Sequence, residues 1–267
     1  MDCKIIKFIL FLILPFNSYA TEFQGSFKQG SFILGKTEPG SRVFIDKRKI
    51  RVTNEGFFAF GLDRDRKNDV TIKIQKDDKL KTIYKKVLKR EYKIQKIDGL
   101  PSKQVTPPPE VYERIKKDNK LIGEARSLDT SYDFFKDKFI YPVEKYVITG
   151  VYGSQRILNG KPRRPHYGID FHAPEGTPVK AMMDGEVTLA ENDMYFTGGT
   201  LIFDHGHGIS TLFMHMKDIN VKVGQKVKQG EIVGTLGQTG RATGPHLDIR
   251  LNWFNVKLDP ATILNLN

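Results

Sequence analysis

All six histidines of the 267-residue chain lie between residues 166 and 246: His166, His172, His205, His207, His215 and His246. Two of them are followed by an aspartate at a spacing that lets both side chains meet at one point. His166 and Asp170 are four residues apart, and His246 and Asp248 are two apart. In an extended chain, residues i, i+2 and i+4 project from the same face, so each pair can converge. Neutral imidazole and carboxylate are suitable zinc ligands, and a catalytic zinc site takes three protein groups and leaves a position for water. Taken alone, a His and an Asp two apart on a strand more often share a surface hydrogen bond than a metal. His172, two residues past Asp170, and His205 and His207, in the turn-like DHGHG, read as structural.

The neighbouring residues change the weight of these spacings. RPHYGIDFHAPEGTPVKAMMDGEV, then TLFMHM, then VKVGQKVKQGEIVGTLGQTGRATGPHLDIRLNW occur in that order. Together they resemble the lysostaphin-type, LytM-like zinc metallopeptidases, from about residue 146 to 264. The resemblance implies one zinc ion bound by His166 and Asp170, with His215 and His246 as catalytic groups beside it. It also implies a peptidoglycan substrate, cut in its cross-links or stem peptides. In the family the last motif is His-x-His, and its second histidine is the third ligand. Here that position is Asp248, so the expected metal set is His166, Asp170 and Asp248.

An aspartate in that position has chemical consequences. Its oxygen binds zinc at about the same ~2.0–2.2 Å as imidazole nitrogen, but the side chain is shorter and the strand must lie closer. A second carboxylate also cancels the remaining charge of the ion. That lowers the acidity of bound water and favours harder metals. A working variant site is the reading preferred, because His166, Asp170, His215 and His246 are all retained. The alternative is a catalytically inactive, peptidoglycan-binding adaptor or activator that acts through another cell-wall hydrolase.

These residues need a scaffold of strands. From residue 139 the chain alternates Val and Ile with polar residues and is punctuated by Gly, most clearly over residues 221–237, as tight turns between antiparallel strands require. Residues 21–97 read as a small β-sandwich-like module: Val43 and Ile45, then Val70, Ile72 and Ile74, alternate with polar neighbours between turn signals. Residues 98–138 form a connector, since four prolines between 99 and 109 exclude a helix or central strand there. One solvated helix is expected over residues 110–126. The fold class is therefore mainly β, with a helical connector and a C-terminal antiparallel β, LytM-like catalytic domain over residues 139–267. Such a connector could let the first module shield the groove, in which case a chain begun at residue 139 would be the more active one. Tyr167, Tyr195, Phe196 and Phe213 could line that groove, although aromatic residues at strand spacing are more often core.

Residues 1–20 have the layout of a secretory signal peptide cleaved after Ala20: Lys4 and Lys7, an apolar run over 5–16, and Ser18-Tyr19-Ala20. The run is too short to span a bilayer comfortably, so no membrane span is expected in the mature chain. Cys3, the one cysteine, leaves with it. Losing Lys4, Lys7 and Asp2 takes the formal charge from +12 to +11. An exported chain, most simply in a periplasm, would not meet nucleic acid, and its positive charge would be drawn to the carboxylates of peptidoglycan stem peptides.

Overall fold

In the computed structural model, residues 20–99 and 106–264 are described; the signal-peptide expectation falls on residues outside this range, Ala20 excepted. The first seven strands are β1 (Glu22–Gln24), β2 (Phe32–Lys36), β3 (Arg42–Ile45), β4 (Arg48–Ile50), β5 (Phe57–Gly61), β6 (Val70–Lys76) and β7 (Lys79–Lys85). They form two sheets, ordered β1-β2-β5 and β4-β3-β6-β7. Val43, Ile45, Val70, Ile72 and Ile74 are buried, so the period-two pattern does mark the inward faces. Phe32, Ile33, Phe58 and Phe60 complete this interior.

The interior does not end at the module. Phe60 meets Trp253 edge to face, with centroids 6.5 Å apart. Gly61 packs so tightly on Leu258 that a Cβ there would lie 2.5 Å from the leucine side chain. Asp259 donates its backbone N–H to the Gly30 carbonyl and pairs through its carboxylate with Arg90. One buried hydrophobic cluster thus includes residues from both ends of the chain.

The strand β8 (Ile94–Ile97), grouped by its sequence with the first module, instead pairs in parallel with β10 (Gln155–Leu158). The helix α1 (Tyr112–Ala125) follows a 3-10 turn at Pro109–Val111. Leu121, Ile122 and Ala125 pack on Leu189, Met194, Ile202, Leu212 and Met214. Gly123 does not interrupt the helix, which runs through it, and a Cβ there would meet no atom within 4 Å.

The remaining strands are β9 (Val147–Gly150), β11 (Lys161–Pro162), β12 (Ile169–His172), β13 (Pro178–Lys180), β14 (Gly185–Met194), β15 (Gly198–Gly206), β16 (Ile209–Ile219), β17 (Lys226–Val227), β18 (Ile232–Leu236), β19 (Leu247–Trp253) and β20 (Val256–Leu258), closed by the short helix α2 (Ala261–Leu264). Their main sheet runs β17-β14-β15-β16-β19-β12-β9, with antiparallel neighbours throughout. Every residue of β15 is buried, as expected of a strand covered on both faces. Among the described residues, no helix is long and apolar enough to cross a membrane.

Candidate metal centre

The register of the main sheet places Asp170 of β12 directly opposite Asp248 of β19, and Met214 of β16 opposite Asp248 on the other side. Directly opposed like charges repel, and both carboxylates are buried. Such a pair needs positive charge beside it, which Arg250 next to Asp248, Arg156 near Asp170 and a metal ion can each supply. His166, in the turn between β11 and β12, brings its Nε2 to 3.0 Å from Asp170 Oδ1 and 3.3 Å from Asp248 Oδ2. The Asp170 approach is not aligned for hydrogen bonding, so that buried oxygen has no hydrogen-bond partner. Donor atoms of the three residues all lie within 4.8 Å of one another. A tetrahedral zinc with ~2.0–2.2 Å bonds has ligand–ligand edges of roughly 3.3–3.6 Å, close to the two measured separations. The donor set and the orphaned oxygen fit a zinc ion.

Two glycines make room for this geometry. Gly150 of β9 lies opposite Asp170, and a Cβ there would fall 2.0 Å from Asp170 Oδ2. A Cβ on Gly168 would fall 2.1 Å from Asp248 Oδ1. Gly150→Ala should therefore push the Asp170 carboxylate aside and weaken zinc binding by about tenfold or more. A zinc titration checks this, and unchanged affinity would remove Asp170 from the ligand set.

The backbone also fixes the tautomer of His166. Its Nδ1 lies 3.3 Å from the Val151 carbonyl; donating that proton leaves the Nε2 lone pair for a metal, the usual arrangement of a ligating histidine. The loop that does this, between β9 and β10, is clamped from the first module. Arg64, which is buried, donates two hydrogen bonds to the Gly153 carbonyl, at 3.0 and 2.6 Å. Gly153 N–H in turn donates to the His166 carbonyl at 2.7 Å, and His166 N–H to Ser154 at 2.9 Å.

His215 reaches the site through a β-bulge. Met214 and His215 together face the single residue Thr200 of β15, and His215 is left-handed, with φ 65°. A non-glycine residue held there costs about 1–3 kcal/mol. The gain is that strand alternation is broken: Met214 stays in the core under α1 while His215 turns toward His246, with ring centroids 4.7 Å apart. His215 Nδ1 donates to the Thr239 carbonyl and His246 Nδ1 to the Gly244 carbonyl, each at 2.8 Å. His215 Nε2 is thereby left as an acceptor, and His246 Nε2 lies 4.0 Å from Asp170 Oδ1.

Burial pushes His215 down to about 4, so it stays neutral at ordinary pH. Burial acts on His166 in the same direction, but Asp248 and Asp170 outweigh it and raise His166 to about 9. Asp248 is held well below the usual carboxylate range: burial opposes this, and Arg250 and His166 overcome it. The other histidines have different tasks. His205 is buried between the Asp184 carbonyl and the Thr211 hydroxyl, both at 2.8 Å. His207 packs on Phe135, and His172 Nδ1 donates to the Pro245 carbonyl. Of the four aromatic residues, Phe213 is wholly core, while Tyr167, Tyr195 and Phe196 are half-buried.

Spacing alone misses several residues that shape this site: Gly150, Gly168, Thr239, Arg64, and two arginines. Arg250 Nη2 lies 3.0 Å from Asp248 Oδ2 and its Nε 3.4 Å from Oδ1. Arg156 Nη2 lies 3.6 Å from Asp170 Oδ2. The i+2 position of Arg250 on β19 was a usable signal; the others depend on pairing between distant strands.

The family model described as Peptidase family M23 matches residues 164–260. The peptidoglycan DD-endopeptidase ShyA of Vibrio cholerae is 41% identical over 113 residues, covering 42% of this chain and 26% of that protein. The cell division protein DipM of Caulobacter vibrioides is 32% identical over 168 residues, covering 60% of this chain and 26% of that protein. The chain thus spans about a quarter of the length of these relatives. A crystal structure of a Pseudomonas aeruginosa protein assigned to peptidase M23 superposes with a TM-score of 0.72 at 25% identity, covering 91% of this chain and 97% of that one.

Proposed function

Since the chain carries a peptidase family M23 domain over residues 164–260, we propose that it is a zinc endopeptidase that hydrolyses peptide cross-links or stem peptides of peptidoglycan outside the cytoplasm. The observation that carries this reading is the buried, directly opposed pair Asp170 and Asp248, with His166 Nε2 beside both. His166, Asp170 and Asp248 would hold one zinc ion. The chemistry zinc supplies when bound is polarisation of the scissile carbonyl and acidification of water.

The protein groups divide the proton work by their surroundings. His215, neutral through burial and with Nδ1–H committed to Thr239, accepts the proton of the attacking water at Nε2. His246 is less enclosed and lies next to Asp170. Its Nε2 would donate a hydrogen bond to the developing oxyanion. Incubation of isolated peptidoglycan sacculi with the purified protein, followed by mass analysis of soluble products, tests the reading. Chelator-sensitive release of cross-link-cleaved muropeptides is expected; no bound metal together with no release would falsify it.

Protonation supplies a separate check. A raised His166 value means that its proton stabilises the metal-free fold fully below the ordinary 6.5 and ceases to do so as pH rises through about 9. Near pH 7.5 that proton must leave when a metal binds. Zinc uptake should therefore release close to one proton per chain, and affinity should climb with pH up to about 9. Calorimetry in buffers of different ionisation enthalpy measures the release, and a value near zero would mean that His166 is not a ligand.

A further inference from the structure

The Asp248 carboxylate is not available to a cation alone. Arg250 follows it by two residues on β19 and grips both of its oxygens, Nη2 to Oδ2 at 3.0 Å and Nε to Oδ1 at 3.4 Å. Oδ2 is also the oxygen that His166 Nε2 approaches at 3.3 Å. The Arg250 side chain is 28% exposed and that of Asp248 only 5%, so the pair is screened by protein more than by water. A guanidinium keeps its charge at any working pH. On this evidence of shared contact, we propose that Arg250 is a positioning residue which would share Asp248 with a bound metal and make the site more positive.

This inference rests on the zinc reading above and refines its electrostatics. With His166, Asp170 and Asp248 alone, two carboxylates would cancel the charge of a divalent ion. Arg250 returns one positive charge at Asp248, and Arg156 adds a more distant one 3.6 Å from Asp170 Oδ2, so the site is positive rather than neutral. The Arg250 hydrogen bonds also draw electron density from Asp248, making it a weaker donor to the metal. A tighter but less acidic metal site is thus traded for a looser, more reactive one. The expectation of a neutral, sluggish site, drawn from Asp248 by itself, omits this partner.

Four proteins test the inference: wild type, Arg250→Gln, Asp248→His and the double variant, each measured for zinc affinity by chelator competition and for melting temperature without metal. Arg250→Gln is expected to tighten zinc by about tenfold, the scale of a partly screened unit charge a few ångströms from the ion. It should also lower the metal-free melting temperature by a few degrees, because a buried carboxylate loses its counter-ion. Asp248→His leaves Arg250 unpaired beside a cation, so it should bind zinc more weakly than the double variant. Zinc affinity of Arg250→Gln within twofold of wild type, or weaker, overturns the inference alone. A wild type that takes up no zinc overturns the metal reading and this inference with it.

Discussion

Asp248→Asn is expected to lower zinc affinity by about a hundredfold or more and peptidoglycan hydrolysis by about a thousandfold, with the fold retained. The substitution keeps the shape of the side chain and removes its charge. It therefore separates a ligand from a packing group. An amide oxygen is a much poorer donor to zinc than a carboxylate, and the amide would leave Arg250 facing an ion without its partner. Chelator competition and sacculus digestion read the two effects, and circular dichroism confirms the fold. If Asp248→Asn held zinc within a few-fold of wild type, Asp248 would not be the third ligand, whatever its position opposite Asp170.

A chain begun at residue 139 is expected to be insoluble or unfolded rather than more active. Shielding of the groove by the first module would make truncation activating, but the structure gives the module another part. Trp253 and Leu258 pack on Phe60 and Gly61, Thr262 Oγ1 accepts the Phe32 N–H at 3.2 Å, and Arg90 pairs with Asp259. Exposing a handful of large apolar side chains, at about 1.5–3 kcal/mol each, matches the roughly 5–15 kcal/mol that keeps a domain folded. Arg64 adds a direct line from the module to His166 through Gly153. Solubility and thermal melting of the shortened chain decide the matter. A soluble product with a cooperative melt and higher activity would restore the shielding idea.

What the sequence made legible follows from where the information lies. His166, Asp170, His246 and Asp248 sit in short local spacings, and period-two alternation marks Val43, Ile45 and Ile72 as inward-facing, so these could be placed without a structure. α1 could be placed for the same reason, since its apolar residues recur at helical intervals. The rest depends on pairing between strands far apart in sequence. Nothing near Gly150 announces that it must be small; its need comes from Asp170, twenty residues away, across the β9–β12 register. His215 is on the site face because of a bulge whose second strand is β15. Arg64 acts on a carbonyl 89 residues ahead. Arg250 lies within reach of the spacing argument, and its importance comes from the burial of Asp248 opposite another carboxylate.

The central claim is that His166, Asp170 and Asp248 hold one zinc ion. Elemental analysis of the chain from residue 21 onward, purified without added metal or chelator, tests it most directly. About one zinc per chain is expected, falling to background in His166→Ala. Wild-type protein with background zinc that also fails to take up the ion from micromolar solution would contradict the account.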